Sequence, residues 1–428
     1  MKKTFKKLSV IALSAVALLG LAACGNSNKT NSDKADDKIQ TSINKKTTIT
    51  FWHAMNGEQE KALTKLTDDF MKANPKIQVK LQNQSQYSDL QAKINSTLQS
   101  TKDLPTITQA YPAWLYNAAK DGQLVDLQPY MNNKKIGWKE QEKISEPLLK
   151  GAQINGKQYG IPFNKSTEVL YYNADLLKKY GVEVPKTMDE LKQAAKTIYE
   201  KSNGEVVGAG FDVLNNYYVI GMKDKGVDFT NKLNFDSKKS KEVVQYYVDG
   251  IKDGYFRTAG ADKYLSGPFA NQKVAMYIGS TSGESFIRKD AEGKFEYGVA
   301  RYPGKYSMQQ GTDIYMFQSA SSAQRTAAFE YMKFLAQPEN QAYWAEATGY
   351  IPIVDSVKNS DEYKNSQSKV STQLADATSH LYPLPVTATS NNAYNEVGII
   401  MEEILANPNR NLNKMLKQGQ TQLQDAWQ

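Results

Sequence analysis

Thr47-Thr48-Ile49-Thr50-Phe51-Trp52, Gly57 to Asn74, and Ile77-Gln78-Val79-Lys80-Leu81 are the stretch on which the fold turns. The first segment alternates and is rich in β-branched residues, as a pleated, half-buried strand requires. The second sets Leu63, Leu66 and Phe70 at helical spacing and stops before Pro75, whose ring and missing N–H end a helix. The third alternates again. Ser88 to Gln99 then reads as a second amphipathic helix and Thr106 to Gln109 as a third strand. Strand and helix in turn predict an α/β layer architecture with a mostly parallel sheet. Ligands of such sheets bind beyond the carboxyl ends of the strands. Those ends carry Trp52-His53, Gln82 to Tyr87, and Gln109-Ala110-Tyr111.

Toward the C-terminus, Ile154-Asn155-Gly156-Lys157 predicts a tight hairpin turn, with an extended segment from Phe163 to Tyr172 after it. Helices are expected at Ala174 to Tyr180, Thr187 to Lys201, Ser237 to Asp253, Ser321 to Ala336, Pro338 to Thr348 and Asn411 to Gln424. No repeat of fixed period is visible. A chain of 428 residues with this pattern is expected to form two lobes.

Toward the N-terminus, Lys2, Lys3, Lys6 and Lys7 precede an apolar run from Leu8 to Ala22 that ends in Leu21-Ala22-Ala23-Cys24-Gly25. A basic start, a short apolar core and small residues at the end form an export signal. The run is shorter than the roughly 20 residues a spanning helix needs. The box resembles the bacterial lipoprotein signal, which implies cleavage before Cys24 and a diacylglycerol on its thiol, anchoring the protein at the outer face of the cytoplasmic membrane. Residues 24–46 are polar and are expected to act as a flexible tether, so the folded body is expected to start near Thr47.

Composition narrows the chemistry. Cys24 is the sole cysteine and His53 and His380 are the only histidines, which excludes a disulfide framework, a cysteine-based zinc cluster and a histidine-rich metal site. A net charge of +8, half of it in the signal, gives no argument for nucleic-acid binding. Gly151 to Gln158 has the spacing of a phosphate loop, but Gln158 stands where a Ser or Thr must ligate magnesium, so no nucleotide and no cofactor is expected. Glu402-Glu403 are adjacent on a helix and face apart, unlike a hydrolytic pair. No catalytic residue is identified. Aromatic residues are the better lead: Trp52, Tyr87, Tyr111, Trp114, Tyr217 and Tyr350 fall in or beside expected loops. Such rings stack on sugar faces while nearby hydroxyls such as those of Ser280-Thr281-Ser282-Gly283 take hydrogen bonds.

Three further blocks carry a resemblance: Phe51 to Glu58, Pro162 to Asn173, and Phe334-Leu335 with Pro338-Glu339-Asn340, Trp344 and Thr348 to Pro352. Together they resemble the extracellular solute-binding proteins that feed ABC importers, in the branch that binds sugars and glycerol phosphates. The resemblance implies a two-lobed periplasmic-binding-protein-like fold of type II with the ligand cleft between lobes. The first lobe is expected to hold residues 47–162 and 312–350, the second 163–311 and 351–428. The chain is expected to be a monomer that captures a small solute without chemistry and passes it to membrane permease subunits, with a secreted carbohydrate-active enzyme or a surface adhesin as the alternatives.

Matched to the glycerol-phosphate-binding members, the site would fall on Tyr87, Ser166, Ser280, Gly311 and Tyr350, with Trp52, Tyr111 and Tyr217 added as ligand-facing rings. Two positions depart from that pattern: Pro112 replaces a cleft glutamate, and the region of Val397 lacks a phosphate-facing arginine. A bidentate arginine is a major source of phosphate affinity. Alternation along the extended segment puts Ser166 and Glu168 on one face and Lys165 on the other, so Glu168 is expected toward the cleft and Lys165 away from it. The expected ligand is therefore a sugar, an oligosaccharide or a glycerol phosphate, with the local chemistry favouring a neutral polyol.

Overall fold

A computed structural model describes residues 39–139 and 143–428. The export signal, Cys24 and the tether as far as residue 38 lie outside the described residues. Two five-stranded sheets organise the rest. In chain order the strands are β1 (Thr47–His53), β2 (Ile77–Asn83), β3 (Ile107–Ala110), β4 (Gly160–Ser166), β5 (Glu168–Asn173), β6 (Val207–Phe211), β7 (Phe256–Thr258), β8 (Val274–Ser280), β9 (Tyr297–Arg301) and β10 (Gln310–Met316).

The first sheet runs β2-β1-β3-β10-β4 and the second β9-β5-β8-β6-β7. β1 pairs in parallel with β2 and β3, and β10 closes that sheet antiparallel to β3 and β4. The second sheet is also mixed: β8 lies parallel to β6 and antiparallel to β5. Each sheet is the centre of a two-lobed α/β molecule.

The helix Gly57–Ala73 buries Ala62, Leu63, Leu66 and Phe70 on the first sheet. There they meet Phe51, Phe163, Tyr331 and Trp344, and Phe163 stacks on Trp344 with centroids 4.8 Å apart. Each such ring contributes about 1.5–3 kcal/mol by leaving water. A capping box at Ser321 and Gln324 starts the helix Ser322–Leu335 behind this sheet. At the hairpin, Asn155 and Gly156 take φ of 51° and 75°, the left-handed pair that a two-residue turn needs.

The chain passes between lobes at Thr167 and again across residues 302–309. Thr167 Oγ1 lies 2.6 Å from Ser307 Oγ and donates to the Met308 carbonyl at 2.9 Å, so hydroxyls tie the two crossings together. Three expectations need correction. β4 stays in the first sheet through Ser166, so the first crossing falls after residue 162. Ile351, Ile353, Val354, Val357 and Tyr363 pack in the first-lobe core, and the chain joins the second lobe only near Val370 and Ala377. A division at residue 351 would strip apolar side chains from the core that buries them. The folded body also begins before Thr47: Ile39 and Ile43 pack on the first-lobe core, and Thr326 Oγ1 donates to the Gln40 carbonyl at 2.5 Å.

Candidate ligand-binding groove

Between the sheets lies a cavity of about 410 Å³. From the first lobe it is lined by Tyr87, Gln91, Tyr111 and Trp114, and from the second by Pro383 to Val386, Asn391, Tyr394 and Asn395. The β10 start supplies Gln310 and Gly311. Tyr87 is the first residue of the helix Tyr87–Thr97, which places its ring at the strand ends. Its centroid is 6.0 Å from Tyr111, and Tyr111 is 5.2 Å from Trp114. The three tilted rings form one aromatic wall.

A buried polar network holds that wall. Gln109 Oε1 accepts from the Ala54 N–H at 2.8 Å, and Gln109 Nε2 donates to Asn164 Oδ1 at 2.8 Å. Asn164 Nδ2 donates to the Tyr87 hydroxyl at 2.9 Å, and that hydroxyl is 3.3 Å from the Tyr350 hydroxyl. A buried chain of this kind is costly unless every member is paired, so it fixes the ring positions. Burial pushes the Tyr87, Tyr111 and Tyr350 phenols above their ordinary range, which keeps them neutral donors. Gly311 takes φ of 90°, and a Cβ built on it would lie 2.0 Å from the Asn164 carbonyl oxygen. Only glycine lets β10 approach β4 so closely here.

The electrostatics are close to neutral. Among the described residues, Lys165 is the one cationic residue along the cavity. Its Nζ bonds Asp313 Oδ1 at 3.0 Å and the Gly311 carbonyl at 2.9 Å, and both side chains of the pair are buried. Desolvation raises the Asp313 carboxyl and the ammonium opposes the shift. With Asp313 taking one charge, the lining offers a ligand rings, carboxamides and hydroxyls.

The lobes meet around the groove. Trp114 Nε1 donates to Asn391 Oδ1 at 3.0 Å, and Arg288 Nη2 donates to the Glu346 carbonyl at 3.1 Å.

The residues singled out from sequence divide. Tyr87, Tyr111 and Gly311 line the cavity, and Tyr350 reaches it through Tyr87. Ser166 ends β4 as a buried residue outside the lining, and Ser280 ends β8 with its hydroxyl 3.0 Å from Ser282 Oγ. Trp52 does not face the groove. Its indole donates to Gln82 at 2.7 Å, and it packs with Leu90 and Ile94 in a buried first-lobe cluster, outside the groove lining. Tyr217 does not either: it sits in the helix Leu214–Asp224, buried on nearly all sides, and its hydroxyl donates to the Val243 carbonyl at 2.7 Å. Lys165 and Glu168 exchange the places expected for them. Lys165 lines the cavity, while Glu168 is buried, with Oε1 accepting from Asn216 Nδ2 at 3.0 Å. The crossing at Thr167 breaks the strand alternation between them.

Gln91, Asn391, Tyr394 and Asn395 were not anticipated. The last three share the helix Ser390–Ala406, whose opening Ser390-Asn391-Asn392 reads as a loop while Ala393, Val397, Ile400 and Ile404 give its buried stripe. Val397, where the arginine is missing, lies in the second-lobe core. Among the described residues no group of three or more His, Cys, Asp or Glu could hold a metal ion, and no helix is long and apolar enough to cross a membrane.

The sn-glycerol-3-phosphate-binding periplasmic proteins of Salmonella typhimurium and of Escherichia coli K12 are each 28% identical over 333 residues, covering 72% of this chain and 74% of theirs. Among solved structures, UgpB of Mycobacterium tuberculosis in complex with glycerophosphocholine is similar with TM-score 0.78 and 20% identity over 88% of this chain and 98% of that one. An ABC substrate-binding protein of Listeria monocytogenes in complex with cycloalternan gives 0.77 and 20% over 89% and 98%. Residues 65–369 match the family described as bacterial extracellular solute-binding protein, and the chain belongs to that family.

Proposed function

We propose that this protein captures a neutral, hydroxyl-rich solute, a sugar or oligosaccharide, in the groove between its lobes and delivers it unaltered to the permease of an ABC importer. The observation that carries the choice of solute is the state of Lys165: this cation, the one along the groove among the described residues, already bonds Asp313 and the Gly311 carbonyl. A phosphate would enter without a free cation to meet it, at a cost that grows with desolvation. Sugar rings instead find the aromatic faces of Tyr87, Tyr111 and Trp114, with Tyr394 from the second lobe, and several carboxamides. The likeness to a cycloalternan-bound protein supports this reading, while the 28% identity to glycerol-3-phosphate binders supports a glycerol phosphate. The retained Tyr87, Ser166, Ser280, Gly311 and Tyr350 favour that second reading, and the missing arginine weighs against it.

Calorimetry with maltooligosaccharides, glycerol-3-phosphate and glycerophosphodiesters separates the two. Tighter binding of an oligosaccharide is expected. Tight glycerol-3-phosphate binding with none for any sugar would overturn the neutral-solute reading. Cleavage of the sugar at catalytic rates would overturn the binding-only reading.

In this reading the protein works as a lipoprotein held through Cys24 at the outer face of the cytoplasmic membrane. The anchor keeps the binder near its permease and raises the effective concentration there. Cys24→Ala is expected to release the protein from the membrane fraction into the medium with solute affinity unchanged.

A further inference from the structure

Lys165, on the groove lining, is satisfied by a residue that lies out of a solute's reach. Its side chain is 4% exposed, while that of Asp313 is fully buried and stands outside the lining. The pairing of β10 with β4 brings the two together. Gly311 sits opposite Lys165, and the register shifts between Thr312 and Asp313. An irregularity of that kind re-aims a side chain. Here it leaves Asp313 Oδ1 3.0 Å from Lys165 Nζ, with the Tyr315 hydroxyl donating to Oδ2 at 3.4 Å.

An ammonium has three N–H donors. Among the described residues two of those on Lys165 are taken, by Asp313 Oδ1 and the Gly311 carbonyl, which leaves one for the cavity that the side chain lines. The residue before Gly311 offers the other half of a hydrogen bond. Gln310 also lines the cavity, and its Oε1 is buried with no partner among the described residues. An acceptor buried without a partner carries the full cost of desolvation, so it calls for a donor from whatever fills the groove. A hydroxyl both accepts and donates. A phosphate dianion only accepts: it would leave Gln310 Oε1 unpaired and would meet an ammonium whose charge is already balanced.

We propose that Asp313, without touching the solute, sets the selectivity of the groove: it holds Lys165 as a charge-balanced donor to a solute hydroxyl and thereby turns phosphate away. This rests on the neutral-solute reading above and deepens it by naming the residue responsible. Asp313 is a positioning residue, and Lys165 and Gln310 are the groups that meet the solute. Among the described residues Lys165 has no other ion-pair partner. Removing the Asp313 charge therefore leaves a cation at the lining with its charge unmet, and a single substitution converts a sugar groove into one that admits phosphate.

The test is calorimetry of wild type, Asp313→Asn, Lys165→Gln and the double variant with a maltooligosaccharide series and with glycerol-3-phosphate. Asp313→Asn keeps an oxygen for the ammonium, and thermal melts check its fold. It is expected to bind glycerol-3-phosphate about ten- to hundredfold more tightly than wild type, the range of a charge-assisted hydrogen bond. The ratio of phosphate to sugar affinity is the readout, because a purely structural role for Asp313 would weaken both ligands alike. Glycerol-3-phosphate is also expected to raise the Tm of Asp313→Asn and not that of wild type, a readout that holds in a weakened fold. The double variant is expected to lose the phosphate gain, which routes it through Lys165, and Lys165→Gln to weaken sugar binding about three- to tenfold through the lost donor. An affinity ratio and a Tm response in Asp313→Asn equal to those of wild type overturn the selectivity role of Asp313 alone, and sugar binding in Lys165→Gln equal to wild type overturns the donor role of Lys165. A wild type that binds glycerol-3-phosphate tightly and no sugar overturns both together with the neutral-solute reading.

Discussion

Gly311 and Glu168 show what a single residue can and cannot announce. Gly311→Ala would put a methyl 2.0 Å from a backbone carbonyl at a φ of 90°. The expected result is a loss of about 2–4 kcal/mol of stability, read by denaturant unfolding, together with weakened solute binding. Glu168 is buried, and desolvation, opposed by the Asn216 bond and reinforced by Asp212, pushes its carboxyl up to about 8 from 4.5. The folded state keeps a proton that the unfolded chain gives up, so the contribution is whole below about 4.5 and lost as pH rises through about 8. Glu168→Gln keeps the acceptor for Asn216 and cannot ionise. It is expected to match wild type near pH 4.5 and to be more stable at pH 8 by roughly 2–4 kcal/mol, measured as Tm against pH. His53, whose imidazole burial pushes down to about 4, titrates alike in both proteins and drops out of that difference. Nothing in the sequence around Glu168 reveals this burial, because it depends on Asn216 from a distant helix. Trp52 and Tyr217 fail for the same reason: a ring near a strand end faces ligand or core according to a partner, Gln82 or Val243, that lies far along the chain.

Elements were more legible where their signals are local. The Pro75 stop, the Asn155-Gly156 turn and the helix Pro338–Thr348 all follow from neighbours a few residues apart. Gly156 has open space around its missing Cβ, so its requirement is conformational alone. Gly156→Ala is expected to cost about 1 kcal/mol in denaturant unfolding and leave solute affinity untouched, in contrast to Gly311→Ala. The helices Leu214–Asp224 and Ser390–Ala406 were not read from sequence. The first is buried on nearly all sides and so has no polar face to set a period, and the second opens with turn-forming residues. The cost of missing the second is functional, since it supplies the second-lobe side of the groove. Asn391→Ala removes the acceptor for the Trp114 indole and is expected to weaken solute binding about fivefold without shifting Tm.

At the scale of the whole molecule, closure depends on how near the lobes can come, and Gly349 sets that distance at one point. It ends the helix Pro338–Thr348 of the first lobe with φ of 73°. A Cβ there would lie 2.5 Å from the Thr281 carbonyl oxygen and 3.3 Å from the Ser282 Cα, both in the second lobe. Backbone atoms cannot give way as a side chain does, so a methyl at 349 acts as a wedge across the seam. With the lobes apart the same methyl would meet no second-lobe atom, and its cost would be only the left-handed φ, about 1 kcal/mol. The substitution therefore acts on the difference between open and closed states, which is the quantity a ligand must supply to shift that equilibrium. Gly349→Ala is expected to weaken every solute by the same factor, whatever its chemistry, and to blunt the fall in radius of gyration that solution scattering records on adding ligand to wild type. A variant that compacts as wild type does, with affinity intact, would mean that this seam is not part of closure.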